Sequence, residues 1–292
     1  MRIEIQRSVK SDSSGYSYLI SLYHLLQNIK DTDVIIDFHK NTWFEANLSA
    51  ILGAIIYSDD RKTNHYHLLN LSSILKSVFL RNGFIPNTES LVVANPNSTI
   101  IPYETFSPKA DTDFALYIKT ELLSKTGFPK LSKLAEKKII ESIFEVFENA
   151  RTHGVCDKIY TCGQYFPRKN PPRLDITIVD MGVSIKKNVN DFLKEELSAA
   201  DSIKWAVEYG NTTKTGLKPG GLGLDVIRNF ISKNNGKIQI VSDNGYWEFN
   251  RNYIHTDNFL KPFPGTIVNI EFNLDDNSHY IAKEESEANI IF

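Results

Sequence analysis

Short β-branched runs alternate with helix-like patterns in the first third of the chain, and this alternation most constrains the fold. The runs 33–38 and 65–71 are typical of strands, whereas segments 42–57 and 72–84 have apolar residues at helical spacing. Strands that alternate with helices in this way predict βαβ units and a mostly parallel sheet. We therefore expect an α/β unit with the order βαβα over residues 1–108.

A second unit is predicted over residues 109–292. The segment 94–113, which is rich in proline and small polar residues, is typical of a connector. The longest helical pattern of the chain, 131–154, is expected to end at a cap formed by Gly154. Two strands are predicted on either side of the turn at 167–172.

The last part of the chain predicts further helices and strands. Helical patterns cover 198–210 and 223–236, and three strands are expected after them. The first two of these strands are predicted to form a hairpin around Asn244-Gly245. The second unit is thus expected to contain a mixed sheet that is covered by helices.

The composition is that of a soluble globular protein, with 41% hydrophobic and 23% charged residues. The net charge of -2 gives no global basic field for nucleic acid. No apolar run approaches the ~20 residues of a membrane span, and the N-terminus lacks the apolar region of a signal peptide. The two cysteines, Cys156 and Cys162, match no zinc spacing and favour reduced thiols in a cytoplasmic protein.

The predicted helix 131–154 carries a polar row opposite its apolar face. Glu145, Asn149 and His153 follow one another at i, i+4 and i+8, so they share one side of the helix. Taken alone, such a row also fits a helix face in contact with solvent. Its role depends on residues that come later in the chain.

Two later segments add groups that suit a nucleotide. The run 176–182 leads from a strand into Asp180 and Gly182; the carboxylate can accept from an exocyclic amine, and the glycine lets the backbone approach a flat ring. The segment 214–230 places four glycines before a helix, which offers free backbone N–H groups to an anion. This segment matches neither the P-loop nor the dinucleotide-binding pattern.

The order and spacing of these pieces resemble the GHKL superfamily of ATPases and kinases, whose ATP-binding domain is the Bergerat fold. FEVFENARTHG, VDMGVSI and GGLGL are similar to its N, G1 and G2 boxes, GNTTK to the end of its ATP lid, and GTIVNIEF to its closing strand. ENARTHG is closest to the anti-sigma-factor serine kinase branch, although Ser184 stands where the G1 box usually has a second glycine. The N-terminal unit resembles, more loosely, a STAS domain.

The resemblance implies an α/β sandwich that binds ATP and Mg²⁺. Asn149 would hold the Mg²⁺ against the phosphates, Asp180 would accept from the adenine amino group, and Gly182 would support the base. Glu145 would be the general base that activates water. The other residues that would contact the nucleotide are His153, Thr213, Lys214, Gly220, Gly221, Leu222, Gly223, Leu224 and Thr266.

Some of these implied roles are more specific. Gly221 and Gly223 would cradle the phosphates, and Lys214 would reach the γ-phosphate. Thr266 matches the position that shares the adenine-bound water. His153 is either a lid or phosphate contact or a structural residue.

Glu145 favours an ATPase in which ATP binding and hydrolysis drive a lid and domain switch. Two alternatives stay open: a serine/threonine protein kinase of the anti-sigma-factor type that acts on a STAS-like domain, and a non-enzymatic, nucleotide-gated interaction module. A protein partner or a homodimer is expected, without contacts to a membrane or to nucleic acid.

Overall fold

The computed structural model describes residues 1–57, 64–86, 99–213 and 223–288. The elements of the N-terminal part are β1 (Arg2–Glu4), β2 (Ser8–Val9), α1 (Ser13–Leu26), β3 (Asp33–Asp37), β4 (Trp43–Phe44), α2 (Ser49–Tyr57), β5 (His65–Leu69) and α3 (Ser73–Arg81). The elements of the C-terminal part are β6 (Ile100–Phe106), α4 (Asp111–Tyr117), β7 (Lys130–Leu131), α5 (Lys133–Asn149), β8 (Ile159–Phe166), β9 (Arg173–Asp180), α6 (Ile185–Leu193), α7 (Ala199–Val207), α8 (Gly223–Asn234), β10 (Lys237–Asn250), β11 (Tyr253–Asn273), β12 (His279–Tyr280) and α9 (Lys283–Ala288).

The N-terminal part contains the parallel sheet that the sequence predicts. Its strand order is β1-β3-β5, and both pairings are parallel. The strands predicted at 33–38 and 65–71 and the helix predicted at 72–84 are confirmed within a few residues. Ser72 caps α3, because its hydroxyl accepts from the backbone N–H of Leu75. The α/β class is thus confirmed for this part.

The C-terminal part is built on a five-stranded sheet with the order β10-β11-β9-β8-β6. All four pairings are antiparallel, so the predicted mixed sheet is wrong. The connections explain the difference, since β8 and β9, and likewise β10 and β11, follow each other through short turns that reverse the chain. The helices predicted at 198–210 and 223–236 are confirmed as α7 and α8.

Both faces of this sheet are buried. The N-terminal part packs α1 and α2 against one face, where Tyr160, Val179 and Ile267 join its core. The helices α4, α5, α7 and α8 cover the other face and pack on residues such as Ile176 and Ile270. Successive residues of a strand point to opposite faces, so one strand can contact both the N-terminal part and the helices.

Three features of the first 110 residues differ from the prediction. The helix expected from residue 42 begins at Ser49, because Trp43–Phe44 pairs with β2 as a strand. α1 is an additional helix, which Asp12 caps by accepting from the backbone N–H of Gly15. The expected connector contains β6, which pairs with β8 and so belongs to the C-terminal sheet. The domain boundary near residue 108, which follows β6, stays a prediction.

The hairpin predicted around Asn244-Gly245 is wrong. β10 runs through these two residues, where its register with β11 shifts, as in a β-bulge. The chain reverses instead at Arg251-Asn252, whose φ values are 46° and 69°. Two central residues with positive φ form the two-residue turn that matches the twist of paired strands. A glycine next to an asparagine therefore marks a bulge here, and the turn forms without glycine.

The remaining general expectations concern cysteines and membranes. Both Cys156 and Cys162 are free thiols, and Cys162 is buried. Within the parts of the chain that the structure describes, no helix is long and apolar enough to cross a membrane.

Candidate active site

A cavity opens between the helix-covered face of the large sheet and the helices α5, α6 and α7. Its empty volume, including the open mouth, is about 930 Å³. The lining residues are Glu145, Val146, Asn149, Ala150, His153, Gly154, Ile178, Asp180, Val183, Ile185, Asn188, Val189, Trp205, Ala206, Val207, Asn211, Thr212, Thr213, Ile240, Thr266 and Val268. The lining is mostly apolar and includes a few polar groups.

The polar row of α5 lines this cavity. Ile139, Ile143 and Phe147 bury the opposite side of the helix. Glu145, Asn149 and His153 are half-buried along the cavity wall, while Glu141, earlier on the same helix, is exposed. The row that could have faced bulk solvent thus faces the cavity, which brings a carboxylate, an amide and an imidazole together.

The C-terminal end of α5 widens into a π-turn over Ala150–Gly154. The predicted cap at Gly154 is wrong, because the residue with left-handed backbone is Val155, at φ 51°. A π-turn bonds residues i and i+5 and so takes up one residue more than an α-turn, and such turns are frequent at functional sites. The turn carries His153 at the cavity wall.

His153 connects three segments around the cavity. Its backbone carbonyl accepts from Nδ2 of Asn188 on α6 at 3.0 Å. Its Nδ1 lies 3.3 Å from Oγ1 of Thr213, at the end of the described segment that follows α7. His153 therefore has a structural role in holding α6 and Thr213 against α5, and its predicted contact with a phosphate stays a prediction.

Asp180 lies at the base of the cavity, at the C-terminal end of β9. Burial raises the pKa of its carboxyl to about 7, although hydrogen bonds from the backbone N–H groups of Gly182 and Thr266 act in the opposite direction. The N–H of Gly182 donates to Oδ1 of Asp180 at 3.0 Å. The carboxyl is thus oriented by backbone groups and is close to its midpoint of ionisation at neutral pH.

Three glycines allow the backbone to close tightly around Asp180. A Cβ atom on Gly182 would lie 1.8 Å from the carbonyl oxygen of Gly154. A Cβ atom on Gly265 would lie 2.2 Å from the carbonyl oxygen of Asp180, and Gly265 has φ 90°. Gly182 thus has a packing role in addition to the support of a base that the resemblance implies.

Thr266 lies directly opposite Asp180 in the β9–β11 register. Its Oγ1 is 3.0 Å from Oγ of Ser242 on β10. Ser242 also donates to the carbonyl of Gly265 at 2.8 Å and accepts from the N–H of Ile185, the first residue of α6, at 2.9 Å. Ser242 was not predicted as a site residue, because the sequence gives no signal for it beyond its place near the end of an apolar strand run.

The described structure covers only some of the residues predicted to contact phosphates. Lys214, Gly220, Gly221 and Leu222 lie outside the described residues. Gly223 is the first residue of α8 and Leu224 the second. The roles implied for these residues in cradling phosphates therefore stay predictions.

The wall that α6 and the end of α7 provide was not predicted from the sequence. Asn188 and Val189 come from α6, and Trp205 and Asn211 come from α7 and the segment after it. Ser184, which departs from the G1 pattern, caps α6 by accepting from the N–H of Lys187. This capping serine and the apolar spacing after it are the signal that could have revealed α6.

Few charged side chains line the cavity. Glu145 and Asp180 are the acidic residues among the described lining residues. No group of three or more His, Cys, Asp and Glu side chains could hold a metal ion in the described parts. No protein-family model matches this chain, and no curated protein matches it in sequence.

Proposed function

We propose that this protein binds Mg-ATP in the cavity and hydrolyses it. One observation carries the proposal: the carboxyl of Asp180 at the base of the cavity and the Glu145–Asn149 pair on α5 line the same space, although they come from distant parts of the chain. A buried acceptor for an amine, an amide and a potential general base are the groups that ATP chemistry needs.

The base of the cavity suits the adenine ring. The ionised carboxyl of Asp180 accepts from the exocyclic amine, and Thr266 on the neighbouring strand supplies a hydroxyl for a bridging water. Ile178, Ile240 and Val268 add apolar surface for the faces of the ring. The triphosphate then extends toward Asn149 and Thr213.

The residues near Asn149 fit a magnesium ion that is held mostly by the nucleotide. Mg²⁺ prefers oxygen ligands and keeps several waters, so one amide oxygen with phosphate oxygens completes its shell. Asn149 offers such an amide oxygen from the wall of the cavity. When bound, the ion neutralises the phosphate charge; Asn149 orients it, and Glu145 stays available for proton transfer.

Glu145 is the group that we assign to hydrolysis. It lies one helical turn before Asn149, on the same wall of the cavity. Its carboxylate takes a proton from a water whose oxygen attacks the γ-phosphorus, while the bond from that phosphorus to the ADP oxygen breaks. A positioned general base of this kind contributes roughly 10²–10⁴ in rate.

The contacts of β9 support a switch between the N-terminal part and the site. Nδ2 of Asn47, from the N-terminal part, lies 3.0 Å from Oγ1 of Thr177 and 3.1 Å from Oδ1 of Asn269. Thr177 is three residues before Asp180 on the same strand, and the two side chains point to opposite faces. A nucleotide bound at Asp180 thus acts on a strand that the N-terminal part contacts directly.

Calorimetry and phosphate release together test the proposal. The wild type binds ATP in the presence of Mg²⁺ and releases phosphate. Asn149→Ala and Asp180→Asn lose ATP binding, while Glu145→Gln binds ATP normally and loses turnover by roughly 10²–10⁴. Glu141→Gln, one turn earlier on the same side of the helix at an exposed residue outside the cavity lining, is the matched control and keeps both properties.

Each alternative function gives its own result in this experiment. Transfer of label from γ-labelled ATP to protein, without release of free phosphate, indicates a protein kinase instead of an ATPase. Binding of ATP without any phosphate transfer indicates a non-enzymatic, nucleotide-gated interaction module. Unchanged ATP affinity in both Asn149→Ala and Asp180→Asn overturns the site itself.

A further inference from the structure

Two rows of polar side chains cross the face of the large sheet that the N-terminal part covers. These six residues, which we call the polar rows, are Lys237, Glu271 and Asp175 in one row and Gln239, Asn269 and Thr177 in the next. The adjoining row on the same face is apolar and consists of Val241, Ile267 and Val179. The N-terminal part therefore contacts a polar surface at one end of this face and an apolar surface at the other.

Three successive residues of the N-terminal part, Glu45, Ala46 and Asn47, are hydrogen-bonded to this polar end. We call them the covering segment. Oε1 of Glu45 accepts from Nη2 of Arg173 at 2.7 Å, the N–H of Ala46 donates to Oε1 of Gln164 at 2.8 Å, and Asn47 contacts the second polar row. Each hydrogen bond of this kind contributes only about 0.5–1.5 kcal/mol, because water replaces it on opening. The covering segment can thus lift while the apolar end stays packed.

Asp175 lies fully buried beside the covering segment. Nη2 of Arg173 is 2.7 Å from Oε1 of Glu45 and 3.2 Å from Oδ2 of Asp175, so the two carboxyls are neighbours. Arg173 donates its hydrogen bonds to Glu45 and Glu271, and neither oxygen of Asp175 has a hydrogen-bond partner among the described residues. In such a place an ionised carboxylate is much less favourable than a protonated one.

The charges around Asp175 do not compensate for its burial. The titratable and charged groups that face it are Arg173 on β9, Lys237 on β10, Glu271 on β11, Glu45 in the covering segment and Tyr16 on α1. Three carboxyls of this cluster, including that of Asp175, share two cations. Burial and the charge of Glu271 raise the pKa of Asp175 well above its usual range, although Arg173 acts in the opposite direction. The carboxyl therefore carries a proton while the covering segment is in place.

We propose that Asp175 is a proton-dependent latch, which holds the covering segment on the large sheet while it is protonated and releases it on ionisation. The O–H bond of the carboxyl breaks, its proton goes to water, and the carboxylate gains the hydration that its buried place does not offer. An open carboxyl has the ordinary pKa of aspartate, so the closed state is favoured at low pH and opening is favoured as the pH rises. The latch acts without nucleotide.

Cys162 is a natural reporter of this opening. It lies on β8 directly opposite Thr177 of the second polar row, and it is fully buried. Its thiol donates to the carbonyl oxygen of Ala46 in the covering segment at 3.2 Å. A thiol reagent therefore reaches Cys162 only when the covering segment lifts or the whole chain unfolds. Cys156→Ser leaves Cys162 as the only cysteine of the chain.

The rate at which Cys162 is labelled tests the latch. Division by the rate for the unfolded chain at the same pH gives the opening constant. In the Cys156→Ser protein, this constant should rise between about pH 5 and pH 8 by up to tenfold per pH unit, the slope for one released proton. Asp175→Asn in this background should lose the slope, whereas Asp275→Asn, the same change at an exposed residue, should keep it. An opening constant that is independent of pH overturns the proposal, as does an unchanged slope in Asp175→Asn.

Two further measurements do not depend on the folding of Asp175→Asn. Lifting of the covering segment exposes less surface than global unfolding, so the labelling of Cys162 should depend less on urea than unfolding does. An equal dependence would mean that only unfolding exposes Cys162, and it would contradict the latch. Glu45→Gln weakens the ion pair with Arg173 and leaves Asp175 in place, so it should raise the opening constant and keep its dependence on pH. An unchanged opening constant in Glu45→Gln would show that the covering segment does not control access to Cys162.

Discussion

Asp180 and Thr266 lie opposite each other on β9 and β11, at the base of the cavity. Burial raises the pKa of Asp180 to about 7, and backbone N–H groups, including that of Thr266, only partly offset this effect. The carboxyl is therefore more easily protonated in the folded chain than in the unfolded chain. Its ionised form, which the proposed site uses, lowers the stability of the fold.

Replacement of Asp180 by asparagine is expected to stabilise the protein at alkaline pH. A carboxyl whose folded pKa is raised stabilises the fold at low pH, and this contribution is lost as the pH rises through the folded pKa near 7. Asp180→Asn is neutral throughout, so its advantage grows from about pH 4 and levels off above pH 7, on the order of 4 kcal/mol. Urea unfolding across this range measures the difference. An advantage that is independent of pH would contradict the assignment of the shift to Asp180.

The affinity for Mg-ATP is expected to fall in acid. The ionised carboxyl of Asp180 accepts from the adenine amine, and its ionised fraction falls about tenfold between about pH 8 and pH 6 when the pKa is about 7. Calorimetry at saturating Mg²⁺ should show a matching loss of affinity. Glu145→Gln serves as the control, because it keeps Asp180 and should show the same dependence. A constant affinity for Mg-ATP between about pH 8 and pH 6 would contradict the role assigned to Asp180.

Gly265→Ala is expected to damage both the fold and the site, and Gly210→Ala provides a matched comparison. Both glycines have positive φ, 90° and 83°, so alanine causes roughly 1–2 kcal/mol of backbone strain at either position. Only at Gly265 does the new Cβ meet a neighbour, the carbonyl oxygen of Asp180 at 2.2 Å. Gly265→Ala should lower the free energy of unfolding by at least about 3 kcal/mol and abolish ATP binding. Similar losses of stability and of ATP binding in both variants would show that backbone strain alone causes the effect.

Asn47→Ala is expected to uncouple the N-terminal part from the site. Asn47 is fully buried, and its Nδ2 contacts Ser11, Thr177 and Asn269. Its loss removes the donor to the buried hydroxyl oxygens of Ser11 and Thr177, while Asn269 still accepts from Thr177. This loss should lower stability by about 2–4 kcal/mol. In the wild type, ATP should slow hydrogen exchange around residue 47, and this response should disappear in the variant.

Asn64→Ala is the control for that experiment. Asn64 is half-buried and hydrogen-bonds within the N-terminal part, to Ile29 and Thr32. The variant should lose some stability but keep the response to ATP. If it loses the response as Asn47→Ala does, general destabilisation explains both results.

Local patterns predicted many of the helices and strands in the described parts of the chain. The apolar spacing of α5, the capping serine of α3 and the β-branched runs of β3 and β9 depend on near neighbours, so the sequence predicts them well. Elements that depend on distant partners were missed. Trp43–Phe44 is a strand because β2 lies beside it, and β6 forms in an apparent connector because β8 offers an edge.

In the candidate site, too, one part follows from local sequence patterns and another part depends on the tertiary structure. The sequence by itself determined the polar row Glu145, Asn149 and His153, since a helical period fixes which side chains share a face. Only the tertiary structure decided that this row faces a cavity with Asp180 at its base, and that α6 closes one wall. The pKa of Asp180 likewise depends on burial by residues far away in the chain, which no local pattern contains. The physical reason is that periodicity acts within one element, whereas burial and enclosure arise only when separate elements pack together.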